Sequence, residues 1–349
     1  MIVYRIYKLQ DEGTTFNNIS ELLWAMDPSF VDMLEHSLDS GLKEEGIADL
    51  FIQELAMAIM RVNYGQSVEA HQFVGNLFSQ WFYFLILHDC FCSSGSVSLA
   101  GAESNLWSIQ GGNKKVPIAL LNASGAHFHQ NQVETISLTS DNKFALYTKE
   151  AKNAPVIYDA VIVATPLSLN TSPLLQFTNF PTRFHFPGSF HRIVCTLIHG
   201  EVNYDTFGLI DEASIVDEIF TTNTSLFFNS LSRNYPVDLD DGTEDLPSVW
   251  KVFSNEPLNP EQLDSLFHVV HEMKVVDWKA YPEYEGMAII AGENFTLYPG
   301  LSYINTIEWA ASAMEMSVIG ARNVALLTAN FLGVTVHDST VKGNSHIEL

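Results

Sequence analysis

The sequence predicts a mixed α/β protein, α+β by segment, with its strands scattered along the chain rather than gathered at one end. Three observations carry this. Apolar residues recur at helical spacing through residues 16–63. Val161-Ile-Val-Ala is a nearly continuous apolar run, as in a strand buried on both faces of a parallel sheet. Leu301–Ile307 reads as a strand that passes at once into a long helix.

The elements follow in order. Asn17 and Asn18 can cap a first helix whose inner face is Leu22, Leu23 and Met26. Asp27-Pro28-Ser29 punctuates, and Phe30, Met33, Leu34 and Leu38 then recur at helical spacing. After breaks at Gly41 and Gly46, Leu50, Phe51, Leu55, Ala58, Ile59 and Val62 make a third stripe, which ordinary core packing explains. Residues 76–94 are atypical. Their unbroken apolar part, Trp81 to Leu87, is far short of the ~20 residues a membrane helix needs, so no transmembrane span is expected. Gly111-Gly112-Asn113 opens a short helix that ends near Asn122. Val133–Leu138 and Phe144–Thr148 pair across a turn at Thr139–Lys143, and Val156–Ala164 is a third strand. Residues 191–200, 225–235 and 249–254 are further strands, the last two separated by an acidic loop at 238–245. Asn259 or Pro260 starts a short helix, and the last helix runs from Trp309 to about Leu332.

Charge and short motifs exclude several classes. The 17 basic and 41 acidic residues give a formal net charge of −24, which repels phosphate backbones and argues against nucleic-acid binding. The same charge suits an acidic compartment. Cys90, Cys92 and Cys195 are an odd set without disulfide-scaffold spacing, and structural thiols explain them. Residues 1–8 do not have the pattern of a signal peptide, yet Asn-x-Ser/Thr sequons stand at Asn18, Asn122, Asn170, Asn223 and Asn294. Walker A, G-x-S-x-G and G-x-G-x-x-G sequences are absent. His127 and His129 share a face of a probable strand, and His268 and His271 are three apart, but neither pair has evident further ligands, so no metal site is expected.

The strongest local feature is the segment from Leu301 to the final helix. A strand ends near Glu308, and four small residues, Ala310, Ala311, Ser312 and Ala313, open the helix. Small residues let a ligand approach a helix's first turn, where free N–H groups attract phosphate or an electron-rich ring edge. A carboxylate at a strand end can accept hydrogen bonds from sugar hydroxyls. A capped core helix with Glu308 favouring its N-terminus accounts for the pattern equally well. Gly111-Gly112 permits close backbone approach, and Asp159-Ala-Val-Ile-Val-Ala-Thr165-Pro166 ends a buried strand where ligands of such sheets gather. Each alone is weak.

Together these pieces resemble the prenylcysteine oxidases, also called prenylcysteine lyases. The matching stretches are Arg61-Val-Asn-Tyr-Gly-Gln-Ser67, Leu106-Trp-Ser-Ile-Gln-Gly-Gly-Asn-Lys114, Tyr158-Asp-Ala-Val-Ile-Val-Ala-Thr-Pro-Leu167, Val249-Trp-Lys-Val-Phe-Ser254 and Tyr303 to Ser317. Trp-x-x-x-Gly-Gly-Asn and Glu-x-Ala-Ala-Ser-Ala-Met-Glu are specific to that family, whereas the Ala-Thr-Pro strand end is shared among amine-oxidase-like flavoproteins. The resemblance covers residues 1–349 as one region. It implies an amine-oxidase-like FAD fold: an incomplete Rossmann-type domain plus a mixed α/β substrate domain. The FAD-facing segments would be about 105–124, 155–168 and 300–333, and the substrate-domain segments about 14–75 and 169–299, with 76–94 an inserted interruption. By the same resemblance, Gly111, Gly112, Asn113, Thr165, Pro166, Glu308, Ala310, Ala311 and Ser312 would lie along the cofactor. The implied reaction takes a hydride from the carbon next to sulfur in farnesyl- or geranylgeranyl-cysteine. Water then adds, prenyl aldehyde and cysteine are released, and oxygen becomes hydrogen peroxide. The resemblance also implies a lysosomal address. It names no catalytic acid or base and leaves the oligomeric state open. The family's N-terminal glycine fingerprint is expected to be missing from this chain, so a truncated, non-catalytic member that binds no flavin is the alternative.

Overall fold

The computed structural model describes residues 2–75, 109–171, 175–186, 188–209, 216–235, 249–284 and 294–334. The interruption read at 76–94, Cys90, Cys92 and the acidic loop at 238–245 lie outside the described residues. What is described is mixed α/β.

The first part of the chain is a helical layer: α1 (Ile2–Asp11), α2 (Ile19–Met26), α3 (Ser29–Asp32), α4 (Leu38–Glu44), α5 (Asp49–Phe51) and α6 (Met57–Tyr64). A π-helical turn, Ile52–Ala56, joins α5 to α6 without a break. Asn18 caps α2 by accepting the Glu21 N–H at 2.8 Å, and Glu21 reaches back to the Asn17 N–H at 2.8 Å. Such reciprocal capping stabilises a helix start by about 1 kcal/mol. Leu22, Leu23, Met26, Phe30, Leu34 and Leu38 are buried, as their spacing requires. Leu50 departs from the expected stripe: it is exposed, in the first turn outside the packed face.

Next come α7 (Lys115–Ser124), β1 (Val133–Leu138), β2 (Phe144–Thr148), β3 (Val156–Tyr158), β4 (Val161–Val163) and β5 (Gln176–Thr178). The β1–β2 hairpin forms as the sequence predicts, with Leu138 opposite Phe144. His127 and His129 lie in irregular chain, not on a strand. Val156–Ala164 is not one strand. β3 pairs with β2, and the chain then bends at Asp159, whose carboxylate pairs with Lys143 at 2.7 Å, so that β4 joins another sheet. Nor is β4 buried on both faces, because Ile162 is exposed.

The remaining elements are β6 (Phe190–Val202), β7 (Glu218–Phe220), β8 (Ser230–Arg233), β9 (Val249–Ser254), α8 (Pro260–Leu266), β10 (Phe267–Pro282), β11 (Thr296–Tyr298), β12 (Leu301–Tyr303) and α9 (Met314–Phe331). Only Ser230–Arg233 of the expected strand at 225–235 pairs, because Asn223 closes a turn on the Ser225 N–H just before it. The longest of the described strands, β10, is absent from the sequence expectation. Asn259 and Gln262 cap α8 reciprocally, as the sequence implies.

Among the described residues there are three sheets, with strand orders β3-β2-β1-β5, β10-β6-β9-β8-β7 and β11-β12-β4. β12 and β4 run parallel, with Tyr303 opposite Val163. The helical layer shares its core with α9 and the turn before it. The two ends of the described chain are tied together there. Asn323 on α9 accepts the Phe16 N–H at 2.8 Å and donates to the Phe16 carbonyl at 2.9 Å, and the Tyr7 hydroxyl donates to Glu315 at 2.6 Å.

Candidate functional site

A parallel pair places two carboxyl ends on one edge of a sheet. Thr165-Pro166 follows β4 there, and the Ile304–Trp309 turn follows β12. Tyr303 couples the two: its hydroxyl oxygen accepts the Leu167 N–H at 2.9 Å. Ligands of open α/β sheets collect at such ends. An open groove of about 1060 Å³ runs beside β4, lined by Val161 to Leu167, by Val133 to Ile136 of β1, and by Lys279. Thr165 and Pro166 belong to this lining, whereas Glu308 does not.

The turn after β12 is 3₁₀, and α9 begins only at Met314, five residues later than Trp309. Ala310 and Ala311 are wholly buried. Their N–H groups both donate to the Ile307 carbonyl, at 3.1 and 3.2 Å, and the Ser312 N–H donates to the Tyr284 hydroxyl oxygen at 2.8 Å. The backbone donors expected to be free at Ala310, Ala311 and Ser312 are therefore already used. What the turn offers is acceptors. Asn305 donates to the Glu308 carboxylate, while Asn305 Oδ1 and Glu308 Oε2 are both buried without a partner. Burial raises the Glu308 carboxyl above its usual range, and the Asn305 bond opposes that only in part. Two neighbouring buried acceptors lacking donors are costly to leave unmade. They match a ligand that presents hydroxyl or N–H groups.

A brace holds this turn in shape. The Tyr284 hydroxyl donates to the Glu308 carbonyl at 3.1 Å. His71 is fully buried, and its Nδ1 accepts the Val74 N–H at 3.3 Å. Its Nε2 therefore carries the proton and donates to the Trp309 carbonyl at 3.1 Å. Burial pushes the His71 pKa down to about 4, so the ring is neutral. The Trp309 ring lies over Gly188, where a Cβ would come within 1.8 Å of it. Tyr284 stacks edge-on against both His71 and Tyr64.

The structure thus gathers Thr165, Pro166 and the Glu308–Ser312 turn at one sheet edge, and it does not bring Gly111, Gly112 and Asn113 into the groove's lining. These three precede α7, of which every residue is exposed. Sequence reasoning missed Asn305, His71 and Tyr284. An asparagine three residues before Glu308 was a signal within reach. His71 and Tyr284 act through tertiary contact and left none. Among the described residues there is no cluster of metal-ligating side chains, and no helix is long and apolar enough to cross a membrane.

Comparison with known proteins adds a family. A family model described as prenylcysteine lyase matches residues 3–78 and 91–338. The unmatched residues 79–90 fall within the stretch read as an interruption. Prenylcysteine oxidase 1-like of Homo sapiens is 35% identical over 338 residues, covering 93% of this chain and 64% of that protein. Prenylcysteine oxidase 1 of Homo sapiens is 34% identical over 343 residues, covering 93% and 63%. Prenylcysteine oxidase 1-like of Mus musculus is 33% identical over 339 residues, covering 93% and 64%. The chain spans a little under two thirds of the length of these curated relatives.

Proposed function

The chain belongs to the prenylcysteine lyase family, and on that premise we propose that it is a FAD-dependent oxidase cleaving the thioether of prenylcysteines within an amine-oxidase-like fold. The observation that carries the cofactor is the pair of unpartnered acceptors, Asn305 Oδ1 and Glu308 Oε2, next to the carboxyl end of the β4–β12 pair. The ribityl hydroxyls of FAD are donors of the kind those atoms lack. Glu308 and Asn305 would hold that chain, and Thr165 and Pro166 would border the cofactor from the neighbouring strand end.

Bound FAD supplies a two-electron acceptor that oxygen can reoxidise. In the net reaction the prenyl carbon next to sulfur loses a hydride. Water provides the oxygen of the prenyl aldehyde, the carbon–sulfur bond breaks, cysteine leaves as its thiol, and oxygen becomes hydrogen peroxide. The protein's part is to hold the thioether carbon and to keep the tail dry. His71 and Tyr284 keep the Glu308–Ser312 turn in register, and neither is an acid or base of the reaction. A lysosomal address belongs to the same proposal, supported by the excess of 41 acidic over 17 basic residues.

A second reading, a family member that binds no flavin, is favoured by exposed apolar residues on the segments assigned to the cofactor: Val116, Ile118, Leu120 and Leu121 of α7, and Ile162 of β4. The visible absorption spectrum of the purified chain, taken with added FAD and again after desalting, separates the two. Retained flavin absorbance that is lost in Glu308→Ala supports the oxidase. A folded, monodisperse chain that retains no flavin establishes the second reading.

A further inference from the structure

Strand β10 lies at one edge of the five-stranded sheet, and among the described residues its outer side has no neighbour. Residues 268–279 are exposed on both faces of the strand. Such an edge carries a row of backbone N–H and C=O groups that a further strand can pair, and edges left free are ordinarily guarded by charge. Here the middle of the strand holds exposed Val269, Val270, Met273, Val275 and Val276, with only Glu272 and Lys274 charged among them. Neither has an ion pair among the described residues. Pairing with β6 sorts these residues by face, because residues opposite one another across a ladder share one. Val270, Met273 and Val275 stand opposite Gly200, Ile198 and Thr196 on one face. Val269, Glu272, Lys274 and Val276 stand opposite Glu201, His199, Leu197 and Cys195 on the other. The ladder skips His268 and His271, where the strand bulges.

We propose that β10 pairs antiparallel with β10 of a second copy of this chain, about a two-fold axis at Met273, so that one sheet runs through both copies. A two-fold that joins two edges antiparallel stands perpendicular to the sheet and keeps each residue on its face, so only residues of the same face meet. Centred on Met273, this rule brings Met273 against the partner's Met273, and Glu272 against the partner's Lys274. By symmetry Lys274 meets the partner's Glu272. With His271 and His268 bulged, Val270 then meets the partner's Val275, and Val269 the partner's Val276. Apolar pairs and opposite charges across a ladder stabilise it, and like charges do the reverse. Neighbouring centres fail on that account. At Lys274 two ammonium groups would face each other, and at Glu272 two carboxylates. At Val275 the partner's Asp277 would lie against Met273, and at Val276 against Val275. The order Val-Val-His-Glu-Met-Lys-Val-Val, with the bulged histidine set aside, is its own complement when reversed, which singles out a second copy over an unrelated strand. The formal charge of −24 on each copy opposes approach at long range, but about 0.15 M salt screens that repulsion beyond about 8 Å. The pairing is independent of flavin and substrate.

Sedimentation velocity of the whole chain over a concentration series, at about 0.15 M salt, should show a monomer–dimer equilibrium. Glu272→Lys sets like charges against the partner's Lys274, and Lys274→Glu sets them against the partner's Glu272, so each should weaken the dimer about tenfold or more. The two variants mixed in equal amounts should form a heterodimer of about wild-type affinity, since every charge then meets its opposite. The double variant Glu272→Lys/Lys274→Glu should self-associate as the wild type does. That rescue also shows that the single variants are folded. Met273→Cys should give a disulfide-linked dimer under mild oxidation, because directly opposite residues bring their Cα atoms within about 5.5 Å. Val269→Cys, far from its own counterpart in this register, should link no more than the wild type. A wild-type chain that stays monomeric at every concentration overturns the pairing, as does a dimer that both single charge reversals leave unchanged. A monomer whose amides over 269–276 resist hydrogen exchange also overturns it, and assigns the edge to another part of the same chain.

Discussion

Strands β9 and β10 belong to the same five-stranded sheet, one inside it and one at its edge, and differ in what lies over them. Trp250 on β9 is 3% exposed, whereas on β10 Trp278 is 40% exposed on one face and Val275 44% exposed on the other. Inside the sheet, Trp250 packs with Ile198, Leu231 and Val252 beneath α8 and carries the Arg233 guanidinium 4.2 Å above its ring. At the edge, α6 ends at Gly65 and leaves Val276 and Trp278 uncovered, and Met273 and Val275 on the other face are uncovered too. The difference teaches that alternation along a strand assigns residues to faces, while the neighbouring elements decide which strands become core. Burial of that kind stabilises, whereas an uncovered edge strand contributes little.

The largest expected effect tests that division directly. Trp250→Ala should cost about 3–5 kcal/mol in urea unfolding, and Trp278→Ala under about 1 kcal/mol, because only the first leaves a cavity. Equal losses would mean that β10 is covered in solution. The next effect concerns the helical layer, which meets the sheet at Ile193. His71 is held at about 4 against an ordinary 6.5, so its proton uptake favours the unfolded chain. The stability it contributes is present above about pH 6.5 and is lost as pH falls through about 4, a change of about 3 kcal/mol. His71→Gln should flatten the urea midpoint against pH over that window, and an unchanged slope would place the acid sensitivity elsewhere. A smaller effect is expected where that layer meets the sheet. Gly65 has φ +68 and lies against Ile193, so Gly65→Ala should lower stability by about 1–3 kcal/mol, measured by thermal unfolding, and a neutral result would show that α6 does not press on the sheet.

Legibility in the sequence tracks how local the deciding interaction is. The β1–β2 hairpin, β9 and the Asn259 cap were readable because a turn or a cap lies within a few residues of what it controls. β10 was not. Its sixteen residues mix valine pairs with charges on both faces and carry bulges near Val269, Glu272 and Tyr281, so neither the helical nor the strand period emerges. The site divides in the same way. Thr165 and Pro166 follow an apolar strand, and Glu308 lies in the 3₁₀ turn after another, so short patterns drew attention to all three. His71 is 238 residues from Trp309 and Tyr284 is 28 from Ser312, and no local pattern links those pairs.

By itself, the sequence determined the α/β class, the family resemblance, the acidic charge and the strand ends where a cofactor site was to be sought, since all of these follow from composition, period and short motifs. Tertiary structure alone decided that Val156–Ala164 divides between two sheets, that the Ala310–Ser312 donors are consumed, and that Ile193 is covered. The physical reason is common to the three. Each depends on which distant group supplies a partner or a cover: Leu301 for Val161, Tyr284 for Ser312, α6 for Ile193. Hydrogen-bond satisfaction and burial are properties of the assembled neighbourhood rather than of a stretch of chain.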